Sequence, residues 1–154
     1  MKINITNKQY LALLKVVYLG NWMANAQRDG SSEDEHIEEY ESISDFIFSL
    51  APKFGFEKYV SHEESDGPRY FPSGLFEEET NVHELHEEYN EKAFWDDLCE
   101  MLGDRDFHKK YSKKEIQNMD NEERFAKLYE CIDVWNEELV GNGIERLEIR
   151  GEKS

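Results

Sequence analysis

Cysteine is almost absent from this 154-residue sequence, which contains only Cys99 and Cys131. Neither has a second cysteine at the short spacing that zinc sites and thiol redox motifs require. Both fall on the apolar side of predicted helices, where a free cysteine behaves as a small hydrophobic side chain. The sequence therefore argues against a disulfide framework and favours two buried thiols.

Long hydrophobic runs are also missing. The most apolar stretch, residues 11–19, is interrupted by Lys15, whereas a membrane-spanning helix needs about 20 apolar residues. The first five residues lack the apolar core and the small-residue cleavage site of a secretory signal. We therefore expect a soluble, cytoplasmic protein that does not contact membranes.

Positive charge is scarce as well. Lysine and arginine number 18 against 35 aspartates and glutamates, which gives a formal net charge of −17. The one basic cluster is short and consists of Arg105, Lys109, Lys110, Lys113 and Lys114. Because nucleic-acid binding needs clustered cations that replace the counterions of phosphates, we predict no direct binding of nucleic acid.

Aromatic residues, in contrast, make up 13% of the chain, which indicates a folded core beneath the charged surface. Four segments, at about 7–27, 33–50, 81–102 and 121–140, repeat apolar residues every three or four positions, as amphipathic helices do. Each segment is opened by a capping pattern, formed by Thr6 with Gln9, Ser32 with Glu35, Asn81 with Glu84, and Asp120 with Glu123. Gly103 is predicted to end the third helix, and Ser112 with Glu115 is predicted to start a short helical turn after it.

Two regions depart from this helical pattern. Residues 55–80 are punctuated by glycine and proline and are predicted to form an irregular internal loop that packs down through its aromatic side chains. Within it, Tyr70-Phe71-Pro72 is the candidate for an exposed binding anchor, with core packing as the alternative. Lys2–Ile5 and Ile144–Arg150 partly alternate polar and apolar residues, which suggests that the termini pair as strands.

These features together predict a fold class that is all-α (mainly). We expect residues 1–154 to form a single acidic domain that resembles a four-helix bundle. A small two-stranded β-ribbon from the termini would complete it, although such a pair is stable only when it packs on helices.

Two of the predicted helices present faces of carboxylates, which would attract and steer a basic protein. The candidate binding residues are Glu38, Glu39, Glu41, Asp45, Glu84 and Glu88. We therefore predict a non-enzymatic, acidic interaction protein that binds a basic protein partner, with mimicry of DNA as the extreme form of this role. A homodimer is a further arrangement open to helical bundles, and an acidic surface that only maintains solubility is the simplest alternative.

A histidine pair in the third predicted helix is the best candidate for a metal site. His83 and His86 are three residues apart, so both imidazoles lie on one side of a helix, where Glu79, Glu87 or Glu91 can join them. Three such ligands with one open position suit a catalytic zinc ion. The alternative is that these histidines are ordinary surface residues of a glutamate-rich helix, and no cofactor is predicted outside this hypothesis.

Two acidic motifs suggest a different metal. The sequence Glu-Glu-Tyr-Asn-Glu at 87–91 and the sequence Glu-Cys-Ile-Asp at 130–133 together resemble, over nine residues, the paired motifs of the all-α nucleotide pyrophosphatases of the MazG type. The resemblance implies that carboxylates on two helices hold magnesium against substrate phosphates. A metal-dependent hydrolase, using Mg or Zn, is therefore the alternative to the interaction protein.

Overall fold

A computed structural model describes residues 3–31, 33–64 and 67–148 of the chain. Within these ranges the protein is mainly α, as the sequence predicts, with one small antiparallel sheet. The helices are α1 (Asn7–Asn25), α2 (Glu38–Ser49), α3 (Gly74–Glu79), α4 (Val82–Lys110), α5 (Lys113–Asn118) and α6 (Asn121–Asn142). The strands are β1 (Val60–Glu63) and β2 (Arg69–Pro72).

Packing divides the chain into two compact units, residues 1–87 and 88–154. Helix α4 begins in the first unit and continues into the second. A single domain over residues 1–154 and a four-helix bundle arrangement stay predictions.

The core of the first unit is built on α1. The predicted capping box is present, because the Thr6 hydroxyl accepts a hydrogen bond from the Gln9 amide and the Gln9 side chain accepts one from the Thr6 amide. This start directs one face of the helix inward, and the hydroxyl of Tyr10 donates to the carbonyl of Ile47 at the end of α2. The buried cluster consists of Tyr10, Leu14, Phe48, Ala51, Tyr59, Phe76 and Val82.

The start predicted for the second helix is wrong within the described residues. Helix α2 begins at Glu38, after an N-cap residue, Ile37, that has no side-chain cap, and Ser32 itself lies outside the described residues. The polar residues of the segment fold the connection instead. The buried Asn25 side chain accepts a hydrogen bond from the Ile37 amide at 2.8 Å, and Asp34 pairs with Arg28 at 3.3 Å. These contacts compete successfully with the local helix signal.

Residues 55–80 are more regular than predicted, although the expected aromatic packing is confirmed. Two short 3-10 helices, Ala51–Phe54 and Glu57–Tyr59, lead into β1, and β2 leads into α3. Both Tyr59 and Phe76 are buried in the core of the first unit. The segment is therefore a structural part of this unit, while Phe71 remains 44% exposed.

The two-stranded ribbon exists, but it is not formed by the termini. It is the hairpin of β1 and β2, whose register pairs His62 with Tyr70. Residues 3–5 and 144–148 contain no strand, and residues 2, 149 and 150 of the predicted ribbon lie outside the described residues. Pairing the termini would close a loop of nearly the whole chain, which costs more entropy than closing the short hairpin.

The second unit is built from α4, α5 and α6, and here Gly103 does not end a helix as predicted. Helix α4 continues through it to Lys110. Gly103 is buried against α6, where a Cβ atom would come within 2.5 Å of the Ile132 side chain. The glycine therefore permits a close helix-helix contact instead of a turn. The small core around this contact consists of Cys99, Ile132 and Leu139, flanked by Trp95, Leu98, Leu102, Leu128 and Trp135.

Capping residues mark where the last two helices of this unit begin. Ser112 and Glu115 form the predicted capping box at the start of α5. At the start of α6, the Asp120 carboxylate accepts a hydrogen bond from the Glu123 amide at 2.8 Å, as predicted. Helix α6 runs antiparallel to α4, because Gly103 lies against Ile132 while the earlier residues 88–99 lie beside the later residues 136–143. Helix α6 ends at Gly143, whose φ of 56° favours glycine.

Candidate functional site

The acids that the sequence places on α2 have different roles in the structure. Glu41 binds His36, with 2.7 Å between the carboxylate oxygen and Nδ1, and it faces the Arg69 guanidinium at 3.8 Å. Asp45 accepts a hydrogen bond from the Tyr70 amide at 3.1 Å. These two carboxylates stabilise the unit that contains them. The other predicted binding residues, Glu38, Glu39, Glu84 and Glu88, are exposed.

The two histidines of the predicted metal site have separate partners. His83 faces the carboxylate of Glu77 at 3.6 Å. The imidazole of His86 packs on the indole of Trp22, with 3.6 Å between the ring centroids. Among the residues that the structure describes, no three His, Cys, Asp or Glu side chains are grouped to hold a metal ion. His83, His86, Glu87 and Glu91 accordingly form no such group in this structure.

The two acidic motifs that suggest magnesium lie at different levels of the second unit. Gly103 contacts Ile132, so the motif at 130–133 is level with the middle of α4. Glu91 precedes Gly103 by twelve residues, or about 18 Å along a helix that rises 1.5 Å per residue. Glu88 lies a further turn away. The carboxylates of Glu88 and Glu91 are therefore too far from Asp133 to share a metal ion.

A groove lies between α4 and α6 in the second unit. Its volume is about 600 Å³. The apolar lining is provided by Trp95, Cys99, Leu139 and Val140. Charged residues from α4 complete it, namely Glu88, Glu91, Lys92 and Asp96. We call this feature the acid-rimmed groove.

The charges of the acid-rimmed groove are only partly compensated. Lys92 donates to the Asp96 carboxylate at 2.8 Å, which neutralises that pair. Neither Glu88 nor Glu91 has an ion-pair partner in the part of the chain that the structure describes. The groove therefore combines an apolar floor with a net negative edge.

The thiol of Cys99 in the floor of the groove is not activated as a nucleophile. Burial, together with the nearby Asp96 carboxylate, raises the pKa of the Cys99 thiol. A thiol with a raised pKa is protonated near neutral pH, whereas catalysis and metal ligation require the thiolate. The chemistry of the groove thus suits recognition of apolar and cationic groups.

Two acids of this groove are predicted from the sequence, Glu88 as a binding residue and Glu91 as a metal ligand, but the other wall of the groove is not. Asn136, Leu139 and Val140 come from the last turns of α6. The signal in the sequence that could indicate this wall is Val140, an apolar residue at a predicted helix end. In the structure Val140 is 89% exposed. The helical pattern of the sequence also does not indicate that residues 88–99 lie beside residues 136–143.

None of the helices described is long and apolar enough to cross a membrane. No protein-family model, curated protein or solved structure matches the chain. The acid-rimmed groove is therefore the basis on which a function is proposed.

Proposed function

We propose that this chain is a non-catalytic interaction protein whose acid-rimmed groove binds a basic, amphipathic helical segment of another protein. The observation that supports the proposal is the combination of Glu88 and Glu91 with an apolar floor in one groove. Amphipathic helices bind such grooves by inserting side chains spaced three or four residues apart.

The apolar floor would supply most of the affinity. Trp95 and Leu139 offer large side chains that are partly or fully shielded from water, and the exposed Val140 extends the same surface outward. Burial of apolar area contributes about 25 cal/mol per Å². A volume of about 600 Å³ can accept several aliphatic side chains of a partner helix.

The negative rim would select the partner. Lysine or arginine next to the inserted apolar residues would face Glu88 and Glu91, and an acidic helix would be repelled. The net charge of −17 would also steer a basic partner toward the protein from a distance. Exposed charge pairs of this kind govern specificity and association rate more than they govern affinity.

The test uses three helical peptides of equal length, measured by isothermal titration calorimetry. We expect a Lys/Leu amphipathic peptide to bind, and both a Glu/Leu peptide and a Lys/Ser peptide of equal charge to bind at least about tenfold more weakly, a difference of about 1.4 kcal/mol. Equal binding of the Lys/Ser peptide would mean that only general charge attraction is present.

Matched charge reversals locate the site. The double variant Glu88→Lys/Glu91→Lys is expected to lose binding of the Lys/Leu peptide. Glu38→Lys/Glu39→Lys makes the same charge change on α2 and is expected to retain it. If the α2 variant lost binding and Glu88→Lys/Glu91→Lys retained it, the binding site would be on α2.

The hydrolase alternative has its own measurement. Thermal unfolding is followed with chelator and then with magnesium, manganese or zinc, each with and without a nucleoside triphosphate, at matched ionic strength. A ligand that binds only the folded state stabilises it by about 2.7 kcal/mol at a hundredfold excess over its dissociation constant, and so raises the unfolding midpoint. We expect no saturable shift. A shift abolished by Glu91→Gln would favour the hydrolase.

A further inference from the structure

The acid-rimmed groove has one base among the described residues that line it, Lys92. Lys92 lies four residues after Glu88 and four before Asp96, so the three side chains form one row along the surface of α4. The Lys92 ammonium group donates to the Asp96 carboxylate at 2.8 Å, whereas Glu88 forms no ion pair in the described part of the chain. Lys92 therefore occupies one of two carboxylates that lie within its reach.

The two carboxylates of this row differ in their position relative to the apolar floor. Because Gly103 contacts Ile132 and the two helices are antiparallel, position 96 is level with Leu139, a residue of the floor. Glu88 lies eight residues earlier, about 12 Å along the helix axis. A base of a bound helix would therefore lie beside the inserted apolar side chains only by pairing with Asp96.

Lys92 can leave Asp96 without losing an ion pair. On a helix, an acid four residues before a lysine stabilises more than an acid four residues after it. Glu88 and Lys92 have the first order, and Lys92 and Asp96 have the second. The side chains of Lys92 and Asp96 are 77% and 55% exposed, so moving the ammonium group to Glu88 requires no unpacking. The exchange replaces one pair of the row by another in the more favourable order.

We propose that Lys92 competes with the bound helix for Asp96, holding this carboxylate in the free protein and moving to Glu88 when a lysine or arginine of the partner takes its place. The role of Lys92 rests on the proposed function of the groove and adds to it a residue that sets affinity and specificity. The partner selected in this way is a helix with a base next to the apolar residue that it inserts beside Leu139. Until Lys92 moves, like-charge repulsion opposes the approach of that base.

Calorimetric titration with the Lys/Leu peptide at low ionic strength tests the role of Lys92. Lys92→Gln is expected to bind the peptide about threefold more tightly than wild type does, within the range of exposed charge pairs. Lys92→Arg keeps the charge and is expected to bind as wild type does. Lys127→Gln is the matched control, because Lys127 forms the same kind of pair with Glu123 at 2.6 Å on α6 and does not line the groove. It makes the same change of net charge and is expected to leave the affinity near that of wild type.

A double-mutant cycle separates transfer of Lys92 from simple repulsion. In a Glu88→Gln background, Lys92 has no second acid in the row to which it can move. The gain in affinity from Lys92→Gln is therefore expected to be at least about twofold larger in that background than in the wild-type protein. Equal gains in the two backgrounds would show repulsion without transfer and would overturn the proposal. Circular dichroism confirms that each variant is folded.

Failure of this role of Lys92 and failure of the proposed function give different results. If neither wild type nor Lys92→Gln binds the Lys/Leu peptide, the groove is not a site for basic helices and both proposals fail. If wild type binds the peptide but Lys92→Gln binds it no more tightly, or Lys127→Gln gains as much, Lys92 does not compete with the partner and the groove remains a binding site. A gain confined to Lys92→Gln, and larger without the Glu88 carboxylate, is the expected result.

Discussion

Gly103 of α4 lies so close to Ile132 of α6 that a Cβ atom at position 103 would be 2.5 Å from Cγ1 and 2.8 Å from Cα of that isoleucine. A side chain at position 103 would make contacts this short only if one of the helices moved away. The absent side chain of Gly103 thus sets the distance between the two helices that form the acid-rimmed groove.

Gly103→Ala is therefore expected to destabilise the protein. Alanine favours a helix over glycine by about 1 kcal/mol, but overpacking a close contact costs about 1–3 kcal/mol. Gly20→Ala is the matched control, since position 20 is also helical and its Cβ would meet nothing within 4 Å. Urea unfolding should show the second variant more stable than wild type and the first less stable. An equal gain in both would contradict the close contact.

Phe76 tests whether the segment predicted to be a loop is part of the core. The side chain is fully buried, and its ring centroid is 5.3 Å from that of Phe48. Phe76→Ala is expected to cost about 3–5 kcal/mol. Leu75→Ala changes the neighbouring residue, which is 45% exposed, and should cost less than about 1 kcal/mol. Similar losses in the two variants would show that the segment does not pack as described.

His36 predicts a dependence of stability on pH. Its Nδ1 lies 2.7 Å from Glu41 and its Nε2 lies 3.2 Å from the Arg28 carbonyl. Both partners are acceptors, so the ring donates at both nitrogens only when protonated, and the pKa of His36 is raised above 6.5. The stabilisation is fully present below pH 6.5 and is lost as pH rises through the higher folded-state pKa.

His36→Gln removes this contribution. The difference between the unfolding midpoints of wild type and variant should be largest near pH 5.5 and should shrink above neutral pH. Titration of the imidazole by NMR should give His36 a pKa above that of a histidine in a short peptide. A midpoint difference that grows with pH would contradict the assignment.

Asp106 predicts the opposite dependence. The Arg105 guanidinium at 2.9 Å, assisted by Lys109 and by the Trp135 indole N–H, holds the pKa of the Asp106 carboxyl well below its usual value of 3.8. Its contribution to stability is present above that value and is lost as pH falls through the lower folded-state pKa.

Asp106→Asn keeps an acceptor for Trp135 but removes the ion pairs. The loss at pH 7 is expected to be about 1 kcal/mol, the upper end for exposed pairs. Urea unfolding at pH 7 and again near pH 2 measures it. The loss should be smaller in acid, and a loss that does not change with pH would show that the charge of Asp106 is unimportant.

The parts of the fold that the sequence predicts are those determined by neighbouring residues. Thr6, Ser112 and Asp120 each cap a helix by a hydrogen bond with the residue three positions later. Because both residues of each contact lie within one short stretch, the sequence pattern is enough to predict the contact. Ser32 with Glu35 shows the limit of such patterns, because Asn25 at the end of α1 and Arg28 just after it form hydrogen bonds with the same connection.

The parts that the sequence did not predict depend on distant residues. Gly103 has the local character of a helix end, and only contact with Ile132 makes it a helix interior. The sequence predicts Glu88 as a binding residue and Glu91 as a metal ligand, but the groove that contains both needs Leu139 and Val140, about fifty residues later. A pattern in one helix carries no information on which helix will lie beside it.

The contact between Asp45 and the Tyr70 amide has a consequence for aggregation. An outward-facing N–H on the edge of a hairpin is where a strand from another molecule would form its first hydrogen bonds. The Asp45 carboxylate already occupies that N–H, and its negative charge repels an incoming carbonyl oxygen. An acid that the sequence predicts to attract a partner thus blocks the Tyr70 N–H of β2 from pairing with a strand of another molecule.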